Sequence, residues 1–93
     1  MTISLPAVID RRAVSGLAVE LSDALAKGSH LQLDGSAVQQ IGQIGLQLLL
    51  SAFKTATSRE ARISITQPSV AILNAAKTSG TLDLLGLEPA YAA

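Results

Sequence analysis

Ninety-three residues suffice for one domain with a single core, so residues 1–93 are read as one unit. Seven basic and seven acidic side chains cancel, and Phe53 and Tyr91 are the two aromatic residues. That leaves neither the positive field nor the stacking platform that nucleic-acid binding requires. With no cysteine, the chain has no disulfides, thiol catalysis or Cys-based metal sites. The absence fits a reducing cytoplasm, and the first fourteen residues lack the basic start and apolar core of a signal peptide.

In chain order, Ile3, Leu5 and Val8-Ile9 form a short apolar segment broken by Pro6, which predicts one or two brief edge strands. Asp10 is placed to cap a helix. Val14, Leu17, Ala18, Leu21, Ala24 and Leu25 then recur at helical spacing on one stripe. Lys27 suits the negative end of the helix and Gly28 supplies the stop. His30 to Asp34 alternates polar and apolar residues, a strand that ends at Gly35-Ser36.

A loop from Gly35 to Gly42 follows, with Val38 and Ile41 as inward anchors. A second helix is expected from about Gln43 to Thr57, with Leu46, Leu49, Leu50, Phe53 and Ala56 on one face and Leu48 to the side. The stretch from Gly35 to Phe53 carries no charge. Glutamines, serines and glycines interrupt it, so it reads as a loop and a buried helix rather than a bilayer span. Arg62 to Thr66 alternates again as a strand. Pro68-Ser69 then opens a third helix to about Ser79, with Val70, Ile72, Leu73 and Ala76 available to the core and Gly80 at its end. Leu82 to Leu87 is either a last helical turn or an edge strand, and Pro89 closes the order. Strands alternating with helices predict an α/β fold, a small mixed, mostly parallel sheet covered by helices.

The residues that could carry chemistry are sparse. His30 is the single histidine and has no companions for a metal site. Asp34 at a strand end has no partner acid and is expected to bond loop amides. Asp10, Glu20, Asp23, Glu60, Asp83 and Glu88 are scattered, with no spacing that suits acid–base work. No lysine follows Gly42 or Gly45 in the manner of a phosphate-binding loop, so these glycines are expected to supply unusual φ angles or close helix approach. No enzyme activity, metal or cofactor is expected.

The segment from Leu33 to Leu46 reads Leu-Asp-Gly-Ser-Ala-Val-Gln-Gln-Ile-Gly-Gln-Ile-Gly-Leu. It resembles the signature of the STAS family, the fold of anti-sigma-factor antagonists. There a strand ends in Asp, a small polar residue follows two positions on, and the next helix begins with Asp-Ser-Ser-Gly-Leu or a variant. Asp34, Ser36, Val38, Gly45 and Leu46 match this pattern, and the order of elements agrees over nearly the whole chain. The resemblance implies a signalling module that docks on a partner kinase, of the chemotaxis histidine-kinase or anti-sigma type, through the loop and the start of the central helix.

In the family a Ser or Thr at that helix start takes phosphate, and the added charge disrupts docking. Here Gly42, Gln43 and Ile44 stand in its place, and neither Gln nor Ile accepts phosphate. Ser36, the nearest hydroxyl, matches the strand-end residue and is expected to shape the loop. The expected docking residues are therefore Ser36, Gln39, Gln40, Gly42, Gln43, Ile44 and Gln47, without a phosphate switch. A second reading is an accessory STAS subunit of a lipid-transport ATP-binding cassette complex. In that branch the helix often begins Asp-Thr-Ala-Gly-Leu, of which Gly45-Leu46 survives here. A protein partner, no nucleic acid, no membrane insertion and a monomer or weak homodimer complete the expectation, with the edge at Ile3–Ile9 as one place where two copies could pair.

Overall fold

The computed structural model describes residues 2–28 and 30–87. The first strands, β1 (Thr2–Ser4) and β2 (Val8–Ile9), flank Pro6 as the sequence predicts. Helix α1 (Arg11–Lys27) starts where the Asp10 carboxylate accepts the N–H groups of Arg12 and Ala13, each at 3.1 Å. A cap of this kind satisfies otherwise unpaired donors and is worth about 1 kcal/mol. Leu17, Leu21, Ala24 and Leu25 are buried on its stripe. Gly28 ends α1 in extended backbone, with its N–H on the Ala24 carbonyl.

Strand β3 (His30–Asp34) alternates as expected, with Leu31 and Leu33 buried. The loop beyond it contains a two-residue strand, β4 (Gln40–Ile41), which the sequence reading does not anticipate. Helix α2 (Gln43–Ser58) buries Gly45, Leu46, Leu49, Ala52 and Ala56, while Leu50 and Phe53 are half-buried. The stripe is thus turned from the expected face. Leu48 and Ala52 meet Ala18, Leu21 and Leu25 of α1 across a narrow cleft, so the α1 contact draws small Ala52 inward.

Strand β5 (Arg62–Thr66) leads to α3 (Val70–Ser79), where the Ser69 hydroxyl accepts the Ile72 N–H at 3.3 Å. Ile72, Leu73 and Ala76 are buried, but Val70, expected in the core, is 70% exposed because it opens the helix on the opposite side. Gly80 adopts φ 71°, the left-handed conformation that glycine adopts without penalty. The Thr81 N–H closes on the Ala76 carbonyl at 2.8 Å. Residues 82–86 coil as a turn rather than a strand, pinned by buried Leu85 and Leu87. Pro89 and Glu88 lie outside the described residues.

The main sheet has the order β1-β3-β5 and a smaller one joins β2 to β4; every pairing among the described residues is parallel. Register places Ile3, Leu33 and Ile65 abreast, with Leu31 beside Ile63. These residues form one face of the sheet, and their buried members belong to the core shared with the helices. Thr2, Gln32 and Ser64 lie abreast on the other face.

Candidate docking site

The site forms where β3 ends and α2 begins. Asp34 turns the chain: its carboxylate accepts the Ser36 N–H at 2.9 Å. That bond, together with the Ser36 hydroxyl, holds the Asp34 carboxyl below its ordinary pKa. Asp34 therefore bonds a loop amide, as its position at the strand end suggests. Gly35 donates to the Thr66 carbonyl at 2.9 Å, which ties the turn to β5. A Cβ at Gly35 would come 2.7 Å from Ile72 Cδ1, so α3 closes over the turn at this point.

Beyond the turn the backbone is strapped to the segment between β1 and β2. The N–H groups of Gln39 and Gln40 donate to the Ala7 carbonyl at 2.7 and 3.0 Å, and β4 pairs Gln40 with Val8 and Ile41 with Ile9. Gly42 donates to the Ile9 carbonyl at 3.0 Å, and α2 begins. The strapping gives the loop a fixed shape. Val38 is buried at 3% exposure and anchors it; Ile41 is half-buried.

The two glycines differ in purpose. Gly42 is the N-cap, at φ −83°, and makes no side-chain cap bond. A Cβ there would meet only the Ile9 carbonyl oxygen, at 3.9 Å, so neither unusual φ nor crowding demands glycine. At Gly45 a Cβ would lie 2.6 Å from Ile9 Cγ2 and 2.9 Å from the Ile9 carbonyl oxygen. Gly45 is what lets the first turn of α2 sit directly on β2. The expectation of an unusual φ fails for both; close approach holds for Gly45.

With the loop fixed in this way, Ser36, Gln39, Gln40, Gly42, Gln43, Ile44 and Gln47 are all exposed. Ile44 is 43% exposed, an apolar knob among amides. No acidic residue lies in the first turn of α2. Beside these residues the structure shows a feature that the sequence does not. A groove of about 500 Å³ runs between the start of α2 and α3, with Ile41 and Leu46 meeting Asn74, Ala75 and Thr78. No motif marks Asn74 or Thr78; their spacing of four on the polar side of α3 is the single hint in the sequence. His30 is exposed at the start of β3, away from this group in the chain. Among the described residues no cluster of His, Asp or Glu could hold a metal ion, and no helix is long and apolar enough to cross a membrane.

A parallel sheet backed by helices, with an exposed strand-to-helix junction at the carboxyl end of β3, defines a small α/β domain. Residues 1–89 match the family model described as "Mlab, STAS domain", and the chain belongs to the STAS domain family. The family consists of regulatory, non-catalytic domains. Among solved structures, the anti-sigma factor antagonist SpoIIAA in its unphosphorylated form is similar, with a TM-score of 0.73 and 20% identity. The alignment covers 86% of this chain and 71% of that one and establishes the shared fold. No curated protein matches the chain.

Proposed function

We propose that this STAS domain is a bacterial, cytoplasmic signalling adaptor. It binds a partner kinase, of the chemotaxis histidine-kinase or anti-sigma type, through the 36–47 loop and the start of α2. One observation carries the reading: Ile44 is 43% exposed in the first turn of α2, within a stretch from Gly35 to Phe53 that carries no charge. An apolar anchor with a polar, charge-poor surround is how protein interfaces are built. Gln43, Ile44 and Gly45 offer no hydroxyl in that turn, so docking here is constitutive rather than switched by phosphate.

Calorimetry against the kinases encoded beside this chain tests the proposal. A stoichiometric complex is expected, with no phosphate transferred to this chain in the presence of ATP. Absence of a complex with any of those kinases, or phosphate incorporated at the α2 start, overturns it.

A second reading is the accessory STAS subunit of a lipid-transport ATP-binding cassette complex, using the same face on the transport ATPase. The family description supports it, since it names the Mlab type of STAS domain rather than an anti-sigma antagonist. Co-purification with a transport ATPase, and transporter genes as neighbours, would favour this reading over the kinase adaptor.

A further inference from the structure

Among the described residues β5 pairs only with β3, and no described strand lies on its outer edge. Native proteins protect such edges with Pro, Lys, bulges or a covering element. β5 reads Arg-Ile-Ser-Ile-Thr and carries one charge, at its first residue. Its apolar side chains are unfinished as well: Ile63 and Ile65 are half-buried, whereas Leu31 and Leu33 beside them are 1% and 0% exposed. A groove of about 390 Å³ holds Ile63 and Ser64 with Phe53, and a neighbouring one of about 540 Å³ shares Phe53 and reaches Leu50 and Leu84. Leu84 is 66% exposed. The opposite edge, β1, has three residues and ends two short of Pro6.

We propose that the outer edge of β5 pairs antiparallel with β5 of a second copy of this chain, about a two-fold axis at Ser64. The strand is symmetric about Ser64: an Ile on each side, then Arg62 and Thr66. The backbone phase agrees. The Thr66 carbonyl accepts from Gly35 and so faces β3; alternation turns Ser64 and Arg62 the same way. The N–H and C=O groups of Ile63 and Ile65 then face outward. With Ser64 on the axis, Ile63 of one copy lies opposite Ile65 of the other, and each such pair exchanges two backbone hydrogen bonds. The same register stacks the half-buried isoleucines on the helix side and sets Arg62 against Thr66 rather than another Arg. The seam uses none of the residues assigned to partner docking, so either proposal can fail without the other.

Sedimentation of the whole chain over a range of concentrations tests the seam, together with cysteine cross-linking, for which the cysteine-free chain is suited. At the axis the two Ser64 Cα atoms would lie about 4.5 Å apart, close enough for a disulfide. Expected results are a concentration-dependent dimer and rapid oxidation of Ser64→Cys to a linked dimer, with Thr2→Cys on the other edge staying monomeric. Ser64→Asp, at an exposed position, should weaken association several-fold by placing two like charges face to face. Three results would overturn the proposal. One is a monomer at every concentration. Another is a dimer that links through Thr2→Cys or persists undiminished in Ser64→Asp. The third is a chain that dimerises only after residues 88–93 are removed, which would mean its own tail covers the edge.

Discussion

Replacing Ile44 by Asp separates docking from folding. Ile44 is 43% exposed, so the change forfeits about half of what full burial of an aliphatic side chain supplies, or ~1 kcal/mol. A carboxylate in the first turn of α2 recovers part of this. That turn has no acidic residue and its N-cap, Gly42, makes no side-chain cap bond, so the unpaired N–H groups favour a negative charge by about 0.3–1 kcal/mol. The net loss should be under about 1 kcal/mol, a fall in melting temperature of no more than about 8 °C for a domain of this size. Thermal unfolding followed by circular dichroism reads this directly, and calorimetry with the partner kinase should show binding abolished. If Ile44→Asp unfolds the domain, the side chain belongs to the core and the surface assignment falls. If binding survives, Ile44 is no anchor.

Three further outcomes follow from the same geometry. Leu49→Ala, at a position 0% exposed, should cost about 2–5 kcal/mol in chemical denaturation through the cavity it leaves, without altering the docking face. Gly45→Val should destabilise by about 1–3 kcal/mol or more, because the Ile9 carbonyl it strikes is held by Gly42; Gly42→Ser should be neutral or stabilise by a few tenths, which denaturation midpoints will distinguish. The Asp34 carboxyl should titrate below its ordinary value of 3.8 in carbon-detected NMR. Its bonds to Ser36 then stabilise the fold fully above that value and are lost as pH falls through the lower folded one, a dependence that Asp34→Asn should remove.

Local signals made most of the fold legible. Asp10 before an apolar stripe, the alternation of His30–Asp34 and Arg62–Thr66, and Gly80 after Ala76 each have a short-range physical cause, and each element stands where that cause puts it. Features set by distant partners were not legible. β4 is two residues long and exists because Gln40 and Ile41 find Val8 and Ile9, more than thirty residues earlier. Ala52 is drawn inward by α1, and Val70 is apolar yet faces out, which helical spacing alone could not decide. The outline of the proposed docking face rests on the motif between Asp34 and Leu46, whose exposed residues the structure gathers at the start of α2. The groove that adjoins it at Asn74 and Thr78 depends on how α3 lies against α2, and no pattern in either segment encodes that.

Backbone amide shifts recorded as the partner kinase is titrated in test the central claim most directly. The account predicts that the largest changes fall on Ser36, Gln39, Gln40, Gln43, Ile44 and Gln47, reaching Asn74 and Thr78 across the groove. Changes centred instead on the exposed sheet face around Thr2, Gln32 and Ser64, with the 36–47 segment undisturbed, would contradict it.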